Sequence, residues 1–200
     1  MSNEKSKPGR ERGGPGVSFR LELTGDFLLL ASLTGYFCGG RRLAALTLAS
    51  AVHELGHAAL LLFRGQVPLA LRMDAAGFCL RCPPPESDGQ ELLRSFAGPA
   101  AGLLLALLLG RSAVPFLRLS GETSLALSLL NLLPASCLDG GRLLRSLGNL
   151  LLGPVWAERI AALLDWVCIL LFALLGFRGR WDGFLWSAWL LYHRLRRLRS

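Results

Sequence analysis

Apolar residues follow two rhythms along this chain, and each change of rhythm marks an element. Val17, Phe19, Leu21 and Leu23 alternate with Ser18, Arg20, Glu22 and Thr24, a period of two that predicts a β-strand. The alternation returns at Val67, Leu69, Leu71 and Met73, and again at Phe78, Leu80 and Cys82. Asp74-Ala75-Ala76-Gly77 between these runs has turn composition, so the pair reads as a hairpin, closed by Pro83-Pro84-Pro85. Elsewhere the apolar residues form unbroken runs that predict membrane-crossing helices. The first is short, Phe27 to Phe37, and the second runs from Leu43 to Phe63. A third covers Leu92 to Leu109, and a fourth, Ser124 to Leu138, is interrupted at Pro134 and stopped by Asp139-Gly140-Gly141. The fifth is Ala157 to Phe177, and the sixth, Trp181 to Tyr192, is rich in the tryptophan and tyrosine that suit an interface. The expected fold class is mainly α: a polytopic helical membrane protein with about six transmembrane segments and a small β-sheet at the membrane surface.

Composition strengthens this picture. Hydrophobic residues make up 52% of the 200, a level typical of helical membrane proteins. The net charge of +8 does not indicate a nucleic-acid partner, because the arginines cluster at the ends of apolar runs and do not alternate with aromatic residues. The expected surroundings are the lipid bilayer. Residues 1–16 are rich in Gly, Pro and charge and read as a disordered cytoplasmic tail. Residues 17–193 form the membrane domain, and 194–200 a basic tail. Arg194, Arg196, Arg197 and Arg199, with no acid among them, place the carboxyl terminus in the cytoplasm; a basic amino terminus on the same side requires an even number of spans, and six fits. The odd, scattered set Cys38, Cys79, Cys82, Cys137 and Cys168 is not a disulfide framework. The Cys79/Cys82 spacing lacks the second ligand pair that a structural zinc site needs, so it is read as part of a strand.

One segment breaks the apolar rule. His53-Glu54-Leu55-Gly56-His57 lies inside the second run, where each charged side chain costs on the order of 2.5–3.5 kcal/mol. Two imidazoles four residues apart leave a helix on one face and can share one metal ion, with Glu54 placed to handle a proton of the water that the metal activates. A catalytic zinc usually takes three protein ligands and keeps one position open. His193 is in the arginine tail and too remote. The third ligand is therefore sought in other apolar regions: Asp139 first, then Asp165, which also reads as the partner of an arginine or a backbone group, then Cys137. Asn131, on the same interrupted element as Asp139, is a candidate for holding substrate backbone and equally for an interhelical hydrogen bond.

Three motifs in order, His53 to His57, Gly98-Pro99, and Asn131-Leu132-Leu133-Pro134-Ala135-Ser136-Cys137-Leu138-Asp139-Gly140-Gly141, resemble those of the site-2 protease family of intramembrane zinc metalloproteases. The resemblance implies Zn2+ held by His53, His57 and Asp139, Glu54 as general base, Asn131 in contact with substrate, and a membrane-surface sheet. It implies a membrane-tethered protein as substrate, a transcription (sigma) factor or signalling regulator, cleaved in regulated intramembrane proteolysis. Compact size and six spans are most similar to the sporulation branch that processes a pro-sigma factor, which implies a bacterial cell membrane. The seven residues after His193 are too few for that branch's carboxyl-terminal regulatory domain, and 64–94 too few for a PDZ insertion. The family commonly has proline where this chain has Cys137. A metal transporter or a non-catalytic metal-binding membrane protein is the alternative, but a transporter needs polar ligands along several helices, and few exist here.

Overall fold

The computed structural model describes residues 20–74, 77–179 and 181–198; the expected tail 1–16, the start of the leading strand, the hairpin's two turn residues and Arg199 lie outside these. Among the described residues the order is β1 (Arg20–Leu23), α1 (Gly25–Cys38), α2 (Gly40–Phe63), β2 (Ala70–Asp74), β3 (Gly77–Arg81), α3 (Asp88–Leu109), α4 (Pro115–Asn131), α5 (Asp139–Leu152), α6 (Pro154–Phe177) and α7 (Trp181–Leu198).

The alternating segments do form one small sheet, ordered β1-β2-β3. β2 and β3 are antiparallel with Leu71 opposite Leu80, which makes them the expected hairpin. β1 lies parallel to β2, with Leu21 opposite Leu71. A parallel neighbour requires a long crossover, and α1 with α2 provides it. The amide and hydroxyl of Thr24 both donate to the Met73 carbonyl, at 3.1 and 2.7 Å, which fixes α1 to the end of β2. Single glycines make the α1–α2 and α5–α6 corners: Gly39 and Gly153 have φ of 86° and 83° with extended ψ, a region only glycine enters cheaply.

Three helices, α2, α3 and α6, are long and apolar enough to cross a bilayer, and α1 is a shorter apolar helix. Packing in the helix bundle is inverted relative to a water-soluble protein. The closely packed positions hold small or polar residues, Ala45, Ala49, Ser120, Ser124 and Ser128, while Phe63, Leu107 and Phe177 are nearly fully exposed. Lipid tails are as apolar as leucine, so such a bundle gains from close backbone approach rather than from hiding leucines. This exterior is suited to a membrane.

The interrupted fourth run differs from expectation. Its helix, α4, begins earlier, at Pro115, and stops at Asn131. The polar residues Ser120 to Ser124 hide this helix in the sequence, and they are satisfied within it or by its neighbour: the Ser120 hydroxyl donates to the Phe116 carbonyl and that of Ser124 to the Gly102 carbonyl of α3, both at 2.9 Å. Residues 132–138 are irregular, and Asp139 opens a separate helix, α5, where the sequence suggests only a stop. The final helix also runs further than expected. α7 carries the first residues of the basic tail to Leu198.

Candidate metal centre

α2 delivers its polar residues by plain helical period. Ala45, Ala49, His53, His57 and Leu61 are its buried residues, one every four positions, so both imidazoles share the stripe that faces the bundle. α3 is central, packing against α2, α4 and α5. It starts with Ser87 as amino-terminal cap, whose hydroxyl accepts from the Gln90 amide, while the Gln90 side chain accepts from the Glu86 amide. Pro99 inside it cannot donate to the Ser95 carbonyl and crowds it. One residue earlier, the Arg94 carbonyl accepts a 2.8 Å hydrogen bond from His57 Nδ1. A carbonyl only accepts, so His57 carries a proton on Nδ1, and Nε2 is the ring nitrogen turned inward and left to serve as a metal ligand.

What meets that nitrogen is Asp139. Its Oδ2 lies 3.0 Å from His53 Nε2 and 3.3 Å from His57 Nε2, and the two Nε2 atoms are 3.2 Å apart. All three residues are buried. Among the described residues this is the group of potential ligands whose donor atoms all lie within 4.8 Å of one another. The donor set fits zinc: four ligands at 2.0–2.1 Å in a tetrahedron stand about 3.3 Å from one another, close to the separations here. The Nδ1 bond of His57 to a carbonyl is the outer partner such ligands usually have.

Gly98 explains how closely α3 approaches. A Cβ there would lie 2.8 Å from His53 Nε2 and nearer still to His57 Nε2. Gly98→Ala is expected to push the imidazoles apart and weaken zinc binding on the order of tenfold or more. Competition with a chromogenic chelator measures it, and unchanged affinity would refute the crowding.

Glu54 points from α2 toward the sheet, where its Oε2 accepts from the Leu80 amide at 3.0 Å. The edge strand β3 therefore borders the site. The ligands and Glu54 share a chamber of about 420 Å³ with Leu80, Asn131, Arg142 and Trp189.

The fold is one already known. No family model matches the sequence, and no curated protein does. Among solved structures, the site-2 protease from Methanocaldococcus jannaschii aligns with a TM-score of 0.66 at 22% identity, over 87% of this chain and 88% of that one. This chain has a site-2 protease fold.

Within this site-2 protease fold, the four residues singled out in sequence for metal and proton chemistry, His53, Glu54, His57 and Asp139, come together. Asn131 lines the chamber, but its amide nitrogen donates to the Leu127 carbonyl of its own helix at 3.1 Å. Cys137 also lines the chamber without joining the ligand group. Cys82 behaves as an ordinary strand-end residue: burial pushes its thiol upward, away from the thiolate a metal needs, and its sulfur donates to the Leu80 carbonyl at 3.4 Å. The rival Asp165 is elsewhere, bonded to Ser136 and Arg194. His193 meets Trp189 edge to face, with ring centroids 4.6 Å apart, and lines a different cavity. Several contributors have no sequence signal. Arg94 and Leu80 act through backbone groups, and Arg142 and Trp189 reach the chamber only because α5 and α7 pack where they do. Gly98-Pro99 is the exception, since a glycine and proline inside an apolar helix already mark a close approach.

Proposed function

We propose that this chain is an intramembrane zinc endopeptidase that cleaves a membrane-tethered protein. The observation that carries the reading is the meeting of His53 Nε2, His57 Nε2 and Asp139 Oδ2 at one point, in a chamber that Glu54 also lines. His53, His57 and Asp139 would hold the ion, and zinc bound there supplies Lewis acidity toward water and the scissile carbonyl. Glu54 takes the proton of the attacking water and returns it to the leaving amine. The Leu80 amide holds the Glu54 carboxylate in place for both transfers. Asn131 in the chamber wall steadies substrate backbone, and the edge of β3 beside Glu54 accepts substrate as an added extended strand, since a helical segment must unwind to be cut.

The topology we propose for this activity has six spans: α1, α2, α3, the broken α4–α5 pair, α6 and α7, with both termini cytoplasmic in a bacterial cell membrane. The irregular residues 132–138 are tolerable at membrane depth because protein covers them. The substrate class we propose is a tethered regulator, a sigma factor among them, on the strength of the motif resemblance.

Chelation provides the test. Purified protein in lipid should contain one zinc per chain, lose cleavage of a co-reconstituted tethered substrate when a strong chelator strips it, and regain cleavage on zinc addition. Cleavage that persists in metal-free protein would exclude this reaction.

A further inference from the structure

We propose that Asp165, with Ser136 and Arg194, is the buttress that holds Asp139 in ligand position. It is a positioning residue that acts through the chain segment between α4 and α5, and the inference rests on the zinc reading above. Asp165 lies in the middle of α6 and is 6% exposed. Its Oδ1 accepts from the Ser136 amide at 2.7 Å, and its Oδ2 accepts from the Ser136 hydroxyl at 2.9 Å and from Arg194 Nη1 at 3.3 Å. Ser136 also accepts from Arg145 Nη2 at 3.2 Å. One carboxylate thus connects the irregular segment to α6 and α7, and through Ser136 to α5.

The segment needs such support. Ser136 stands three residues before Asp139, and the backbone bonds of the irregular segment are short-range turns, Leu133 to Leu130 at 3.1 Å and Ala135 to Leu133 and Leu138 to Ala135, both 2.8 Å. Pro134 donates none. A second cavity of about 310 Å³ is lined by Ser136, Cys137, Asp165, His193 and Arg194 and by no residue of α2, while Cys137 and Asp139 also line the metal chamber. The segment therefore borders two spaces, with open volume beside it into which it can shift if its hold on α6 is lost. A buried ion pair is poor evidence of stabilisation, because desolvation consumes most of its Coulomb gain. It does fix geometry, and a ligand displaced by a fraction of an ångström is a poor ligand. The carboxylate also satisfies the Ser136 amide, so an apolar replacement would orphan it.

Zinc affinity, read by chelator competition on the full chain in detergent, tests this without reference to cleavage. Asp165→Asn is expected to weaken zinc binding about tenfold or more, with Ser136→Ala and Arg194→Gln showing smaller losses. Arg194→Lys, which keeps a cation facing Asp165, should restore most of the affinity that Arg194→Gln loses. Melting of the metal-free proteins separates positioning from general destabilisation: a packing role would lower melting temperature and leave affinity alone. Should Asp165→Asn fail to fold, the other two variants decide, and wild-type affinity in both overturns the buttress. If the unmodified chain binds zinc without needing His53, His57 and Asp139, the metal centre falls and the buttress with it. If it binds zinc through them but cuts no tethered substrate, the buttress stands and only the protease reading is lost.

Discussion

Glu54→Gln is expected to keep the zinc and lose the reaction, with cleavage reduced about 10²–10⁴-fold, the contribution typical of a positioned general base. Glutamine has nearly the same shape, and its side-chain oxygen still accepts from the Leu80 amide that meets Glu54 Oε2 at 3.0 Å. None of the three ligand atoms is altered. What disappears is the capacity to take up a proton. Zinc content and cleavage must be measured on the same preparation, and the decisive pattern is stoichiometric metal with almost no product. A variant that retains most of the cleavage would remove Glu54 from the mechanism. In a transporter, by contrast, the same change would leave much of the metal flux intact.

Asp139→Ala should have the opposite signature, with metal and cleavage lost together. Removing Oδ2 takes away the atom that lies 3.0 Å from His53 and 3.3 Å from His57, and leaves two imidazoles with no anion between them. The loss in zinc affinity should exceed the roughly 100-fold upper range seen when an outer partner of a ligand is removed, because here the ligand itself goes. Direct metal analysis after dialysis against trace zinc measures it. Zinc retained at one per chain by Asp139→Ala would mean the histidines find their third ligand elsewhere. Comparison with Asp165→Asn then ranks the two aspartates: near-total loss for the first, a graded loss for the second.

The elements were legible because their signals are local. A period of two at Leu69 to Met73 and Phe78 to Cys82 identifies β2 and β3. The run from Leu43 to Phe63 gives the end of α2 and misses its start at Gly40 by three residues, and four-residue spacing puts His53 and His57 on one face of it. The errors came where polar residues sit within helices for tertiary reasons. Ser120 and Ser124 of α4 are satisfied by carbonyls, and α5 opens at the Asp139-Gly140-Gly141 that looks like a terminator. The two glycines there serve the irregular segment itself. They admit the folded-back carbonyls of Leu132 and Ala135, which a side chain would strike.

By itself, the sequence determined that this chain has membrane-type helices, a hairpin, and an imidazole pair flanking a carboxylate in an apolar segment, since helix period and hydrophobic runs depend on residues a few places apart. The residues alone put Asp139 ahead of Asp165 and Cys137 as third ligand without excluding either, and the motif resemblance pointed the same way. Tertiary structure brought Asp139 to the histidines across 86 positions and paired Asp165 with Ser136 and Arg194 instead. It also supplied the Arg94 carbonyl, the Leu80 amide and the parallel pairing of β1. These contacts depend on how distant segments close on one another, and no local pattern of side chains encodes where a backbone group from another element will arrive.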